Sequence, residues 1–442
     1  MNKDNKNGIK KMLVGLLIIM GSIGLGYCLF LVTSPFINRK KNTQTVTNEQ
    51  NVKKQTNQDL DRDGESNKQV INNSNKLTIG DLLENQIKKD AREKMQQEEE
   101  QVEPPKVRVP TKVKGIYVSG PKAGSGNSMD ELIDMVDTTE LNTMVIDIKN
   151  DSGEITYNTN LPIVKEIGAN KNYIKDMKKL IQTLKEKDIY IIGRVVAFKD
   201  PLLAERKPEL SIKNSNGSIF RDKSGLAWVN PYKKEVWDYL MEVCKDAVEL
   251  GIDEIQFDYI RFSTDKGMKN VNFGAEAKNK TKLKVITEFT KHAKETLNSL
   301  GVFVSADVYG AIIDSETDAK IVGQNYVEMS KHLDYISPMV YPSHYADGSY
   351  GIPHPDLEPY KLILKSMEAS KTALSTIPDG ENRAIVRPWL QDFTASWLKH
   401  HKSYNGQEIR DQIKAVYDAG YDEWILWNGN NNYTKNGLEL AK

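Results

Sequence analysis

The sequence predicts an α/β fold, a (β/α)8 TIM barrel preceded by a transmembrane anchor and a disordered linker. Three observations predict it. Short apolar, β-rich runs alternate with amphipathic stretches long enough to carry a parallel crossover. Connections from helix to strand are short and end in glycine, whereas those from strand to helix are long and polar. An uncharged apolar segment and a polar tract precede all of this.

Residues 12–32, between Lys11 and Arg39, carry no charge and are long enough, at about 1.5 Å per residue, to cross about 30 Å of hydrocarbon. Lys3, Lys6, Lys10 and Lys11 favour a cytoplasmic N-terminus at 1–11, although Arg39, Lys40 and Lys41 weaken the asymmetry. The apolar run is longer than that of a cleaved signal peptide, and no small-residue cleavage site follows it. The expectation is a single-pass cell-membrane protein with its C-terminal domain extracytoplasmic. Residues 33–111 form the linker: from Asn38 to Gln69 the only aliphatic residues are Val46, Val52 and Leu60, too few for a core. Within it, 77–101 has helix formers with a sparse apolar stripe, which suggests a solvated helix. Pro104, Pro105 and Pro110 mark the boundary, and 112–442 is the barrel.

Its strands are expected at Val113–Ser119, Thr143–Lys149, Ile189–Phe198, Glu254–Phe262, Val302–Tyr309, Tyr335–Tyr341, Ala384–Leu390 and Glu423–Asn428. Helical patterns fall at 129–140, 171–187, 232–250, 281–299, 321–332, 357–374 and 407–419, with Gly251, Gly301 and Gly420 as terminators. The long segments 199–230, 263–280, 342–356 and 391–406 all follow strands, which puts the working face at the strand C-termini. An open doubly wound sheet is the competing fold, but Gly124 and Gly126 after the first strand are a weak phosphate-turn signal. Few residues follow the last strand, so the eighth helix is short, missing or supplied by 77–101.

Lys and Arg together number 61, as do Asp and Glu, so zero net charge excludes a polybasic nucleic-acid binder. Two cysteines, Cys28 and Cys244, exclude a disulfide scaffold and a cysteine metal site. Cys244 shares a helical face with Val236, Leu240 and Val248 and reads as core.

Polar residues at strand ends carry the chemistry. Ile255, Phe257 and Tyr259 alternate with Gln256 and Asp258, and Val304, Ala306 and Val308 with Ser305, Asp307 and Tyr309. The bulky sets face the helices, and Asp258 and Asp307 enter the barrel mouth from adjacent strands. Paired carboxylates are what acid/base cleavage of a glycosidic bond requires. Asp258 and Asp307 are the candidate catalytic residues, with Asp147 or Asp392 as other choices for the second acid. Asp147, Lys149, Arg194, Arg261, Tyr341, His344, Arg387, Trp389, Asp392, Trp427 and Asn428 are candidate sugar contacts, because aromatic faces stack on sugar rings and Arg, Asn and Asp hydrogen-bond hydroxyls. Arg261 or Arg194 would keep Asp258 ionised. No metal or cofactor is expected: the six histidines are scattered, and the adjacent His400 and His401 have no Cys or paired carboxylates at ligand spacing. The same scatter argues against a barrel phosphodiesterase.

The stretches GIYVSG (115–120), VIDIKNDSG (145–153), IIGRVVAFKD (191–200), IQFDYIRF (255–262), SADVYG (305–310), SPMVYPSHY (337–345) and RPWLQDF (387–393) together resemble a bacterial family of often membrane-anchored domains described as "putative glycoside hydrolase". The resemblance covers about 112–430, with FDYIRF its most specific stretch. It implies a TIM barrel related to amylase-like and polysaccharide-cleaving barrels, with the nucleophile or base at Asp258. The acid in such barrels is often a Glu on strand five, where this chain has Asp307. The implied activity is hydrolysis of a cell-wall or extracellular polysaccharide or oligosaccharide. A non-catalytic glycan-binding or scaffolding barrel of the cell envelope is the alternative.

Overall fold

The computed structural model describes Arg108–Ala441, together with the helical residues Lys88 and Lys89. The expected cytoplasmic segment, the anchor at 12–32 and nearly all of the linker lie outside the described residues. Among the described residues no helix is long and apolar enough to cross a membrane.

Eight parallel strands close on themselves: β1 (Lys114–Val118), β2 (Thr143–Lys149), β3 (Tyr190–Val196), β4 (Glu254–Asp258), β5 (Phe303–Tyr309), β6 (Tyr335–Met339), β7 (Trp389–Gln391) and β8 (Trp424–Trp427). Each pairs with its sequence neighbour, and closure comes from β1, which pairs with β2 through Ile116 and Met144 and with β8 through Gly115 and Ile425. A cylinder of this kind has no free sheet edge.

The crossovers are α1 (Asn127–Thr138), α2 (Met177–Lys185), α3 (Lys234–Glu249), α4 (Lys282–Asn298), α5 (Tyr326–Ser330), α6 (Pro359–Leu374) and α7 (Gly406–Asp418). On α3, Val236, Leu240, Val243, Cys244 and Ala247 recur at helical spacing and are buried against the sheet. Asn405 opens α7 with a capping box: its side chain accepts from the Gln407 N–H, while Glu408 accepts from the Asn405 N–H. Gly251, Gly301 and Gly420 all have positive φ, as helix-terminating glycines do.

Four elements differ from expectation. Residues 170–174 pair as a strand with Ile155–Tyr157 instead of starting α2, which begins only where Asp176 caps the Lys179 N–H. The helix expected at 321–332 is broken at Gly323, whose φ of 81° ends one helix before α5 begins. β4 stops at Asp258 because Tyr259 turns left-handed. Pro388, which lacks a ladder donor, lies between Ile385–Val386 and β7 and divides the seventh strand. Among the described residues after β8, the one helical element is a 3-10 turn at Lys435–Gly437.

An apolar shell fills the space between strands and helices, and Phe257 packs there edge-on to Phe289 of α4. The barrel interior is different. A small apolar cluster of Val113, Tyr117, Val145, Ile192, Tyr341, Trp389 and Ile425 shares it with buried polar groups. At the strand N-termini Arg387 binds Glu254 at 2.9 Å and Glu423 at 2.9 Å, and all three are buried. Above them the Gln256 amide donates to Ser337 Oγ at 3.2 Å. Extended loops gather at the opposite end, where Lys213–Asn214 and Val271–Asn272 pair to tie the segments after β3 and β4 together.

Candidate active site

Phe257 of β4 is the register partner of Ala306 on β5, and the next residue on each strand is an aspartate. Parallel neighbours run about 4.8 Å apart, and Phe257 points to the helices, so Asp258 and Asp307 both enter the barrel from adjacent positions.

Their surroundings differ. Asp258 accepts three N–H groups: Arg194 Nη2 at 2.5 Å and Nε at 3.1 Å on Oδ2, and the Tyr259 backbone at 2.5 Å on Oδ1. That is the bonding of an ionised carboxylate, which can only accept. Arg194 of β3 spans two acids, its Nη1 also reaching Asp147 Oδ1 at 2.5 Å. Burial opposes the guanidinium charge, but Asp258 and Asp147 outweigh it and hold the group well above its ordinary pKa. Burial pushes the Asp147 carboxyl up, against the pull of Arg194 and of the Tyr117 hydroxyl, which donates to it at 2.6 Å.

Asp307 is 2% exposed, and its Oδ1 accepts the Trp389 indole N–H at 2.6 Å. Burial first, and then the negative charge of Asp258, push its carboxyl well above the ordinary range, against the opposing effects of Trp389 and Arg194. Among the described residues Oδ2 makes no hydrogen bond, which leaves it as the place for the proton. One carboxylate bonded by three N–H donors beside one whose carboxyl is pushed up is the unequal pairing that acid/base chemistry uses.

Backbone strain sits beside this pair. Tyr259 has φ 47°, uncommon for a residue with a side chain, and this turn aims its N–H back at Asp258 while its ring borders the cavity. Gly310, after β5, is required by close approach: a Cβ there would lie 2.3 Å from Tyr345 Oη and 2.6 Å from Met339 O.

The cavity above the aspartates is about 400 Å³. Of the expected sugar contacts, Arg194, Arg261, Tyr341, His344, Trp389 and Trp427 line it. Trp427 stacks on Tyr117 at 4.3 Å and meets Trp389 edge-on at 5.6 Å. Arg261 lies 4.5 Å from the ring centre of Tyr309 and 4.8 Å from that of Tyr259, and it has no ion-pair partner among the described residues. His344 sits at the rim. Packing around its ring lowers its pKa below the usual histidine value.

The other five expected contacts do not line the cavity. Asp147 lies behind it, orienting Arg194. Lys149 is fully buried and pairs with Asp200 at 2.9 Å in the wall outside the barrel. Arg387 is in the ionic cluster at the far end. Asp392 accepts from the Thr434 hydroxyl and backbone, and Asn428 donates to the backbone of Asp392 and Asn432, so both organise the segment after β8. Sequence reasoning missed Tyr117, Asp151, Tyr259 and Tyr309 as lining residues. Tyr309 had a usable signal, since alternation already placed it inward. At the rim Phe393 stacks on Trp397 at 5.9 Å, and Trp397 is exposed.

Residues 115–433 match the family model described as "Putative glycosyl hydrolase domain". Among solved structures, a hypothetical protein from Ruminiclostridium thermocellum is 44% identical over 44% of this chain and 97% of its own, with TM-score 0.41. The PgaB (BpsB) glycoside hydrolase domain from Bordetella bronchiseptica is 13% identical, covers 72% of this chain and 94% of its own, and has TM-score 0.52, a likeness of fold. The spore cortex-lytic enzyme SleL from Bacillus megaterium is 11% identical over 74% of this chain and 73% of its own, with TM-score 0.42. No curated protein matches the chain.

Proposed function

The chain belongs to this glycosyl hydrolase family, and from that premise we propose that it cleaves a cell-wall or extracellular polysaccharide with Asp258 as nucleophile and Asp307 as acid. The observation that carries the reading is the unequal bonding of the two aspartates, three N–H donors on Asp258 against a raised, half-bonded carboxyl at Asp307.

Asp307 gives its Oδ2 proton to the glycosidic oxygen as the bond to the anomeric carbon breaks. Asp258 attacks that carbon and forms a glycosyl ester. Asp307, now ionised, takes a proton from water as the water displaces Asp258, and both groups return to their starting states. Carboxyl groups at adjacent register positions on neighbouring strands, whose backbones run about 4.8 Å apart, suit the separation of about 5–5.5 Å that a retaining enzyme uses. Trp389, Trp427 and Tyr341 offer aromatic faces to sugar rings, and Arg194 and Arg261 offer donors to hydroxyls. In this reading residues 12–32 hold the enzyme in the cell membrane with its N-terminus cytoplasmic, and 33–111 give the extracytoplasmic barrel reach toward a polymer.

The test is a panel of 2-deoxy-2-fluoro aryl glycosides incubated with the full chain and followed by peptide mass spectrometry. A glycosyl adduct on Asp258 supports the mechanism. Turnover of the matching unfluorinated glycosides with no adduct, and with inverted product, removes the nucleophile assignment. Binding of glycans without turnover by any preparation returns the domain to the glycan-binding alternative.

A further inference from the structure

Fold topology brings His400 beside Asp347 and His354, which lie in a different segment of the chain. Asp347 and His354 lie in the segment between β6 and α6, and His400 in the segment between β7 and α7. His354 Nδ1 is 3.1 Å from Asp347 Oδ2, His400 Nδ1 is 3.8 Å from the same oxygen, and the imidazole centres are 3.7 Å apart.

We propose that these three residues bind a divalent transition-metal ion of the zinc class, which clasps the two rim segments together. Zinc bonds of about 2.0–2.1 Å in tetrahedral geometry put neighbouring ligand atoms about 3.3 Å apart, and both distances to Asp347 Oδ2 lie within half an ångström of that. His354 and Asp347 approach as closely as an ion pair, and His354 Nδ1 is shut off from solvent with no aligned hydrogen-bond partner. A shared cation would satisfy this nitrogen and the carboxylate oxygen together. His401 does not compete, since its Nδ1 lies 2.7 Å from Leu398 O.

Asp347 is 65% exposed and His400 38%, so an ion from solution can enter and water can complete the tetrahedron. The two segments are already joined at their base, where buried Asp356 accepts from the Gln391 amide at 3.1 Å and from the Lys402 N–H at 3.4 Å. One segment carries His344 and Tyr345 into the cavity, and the other carries Phe393 and Trp397 at its rim. The ion would hold the outer parts of both in register, a positioning role that stands independently of the hydrolase reading.

The experiment uses the full chain stripped of metal with a chelator. Zn²⁺ is titrated by calorimetry, and Co²⁺ is followed by the visible bands of a four-coordinate N/O site. The expected result is one saturating equivalent at micromolar metal or below, with a rise in Tm on addition of Zn²⁺. His400→Ala and Asp347→Asn should each weaken binding by at least about 100-fold, since even the loss of a residue that only orients a ligand costs about 10–100-fold. Asp347 is exposed, so its variant tests the site without disturbing the core. Absence of saturable binding in the wild type, or unchanged affinity in both variants, overturns the proposal.

Discussion

Trp389 of β7 reaches past β6 to donate its indole N–H to Asp307 Oδ1 of β5, a 2.6 Å contact between two buried side chains. It fixes the rotamer of the acid, and by occupying Oδ1 it leaves Oδ2 toward the cavity. The same indole is 5.6 Å from Trp427, so one residue both orients the acid and builds the aromatic wall.

Trp389→Phe removes the donor and keeps much of the ring. The N–H favours the charged form of Asp307, so its loss raises the carboxyl further. The alkaline limb of kcat/KM should move to higher pH by about one unit or less, the size of one hydrogen bond. A pH–rate profile that moves the other way contradicts the role given to Trp389.

Asp258→Asn keeps the shape of the side chain but removes its charge and nucleophilicity. We expect kcat to fall at least about 10³-fold with KM changed only a few-fold, and the circular dichroism spectrum to be retained. Activity close to wild type in a folded variant excludes Asp258 from the mechanism.

Asp307 imposes a pH dependence on stability with a definite sign. Its folded pKa is raised, so between the unfolded and folded values the native state binds more protons, and stability falls as pH rises through that window. Asp307→Asn has no such burden. Chemical denaturation should show the variant gaining on the wild type from acid to neutral pH, with the difference levelling off below the unfolded carboxyl range, about pH 3.9. A constant difference at every pH would mean that the proton is not held there.

Arg387→Met leaves Glu254 and Glu423 buried without their cation. Urea unfolding should register a loss of about 3–5 kcal/mol, the usual consequence of removing one partner from a buried ion pair. At temperatures where the variant stays folded its KM should match the wild type, because Arg387 does not line the cavity. A selective rise in KM would restore the sugar-binding role first expected for it.

The barrel, the inward direction of Asp258 and Asp307, and the core position of Cys244 were all legible in the sequence. Each follows from a local period: two along a strand, near 3.6 along a helix, and glycine where a helix must stop. Arg387 shows where this reasoning runs out. Its place on the seventh strand made it a candidate sugar contact, but strand position does not report depth, and depth is what separates the ionic cluster near the strand N-termini from the mouth where Arg194 holds Asp258. Lys149 fails differently: it ends β2, yet it turns toward Asp200 outside the barrel, where the β2 and β3 register shifts between Asp147 and Lys149. The grouping of Asp347, His354 and His400 is further from view, because ligand spacing read along one segment cannot register a partner from a loop on the next strand. The sequence by itself therefore determined the eight-strand alternation and the inward turn of Asp258 and Asp307, since those depend on neighbours a few residues away. Only the tertiary structure decided which charges pair, which carboxyl keeps its proton and which loops meet, since those depend on distances between groups that chain order leaves far apart.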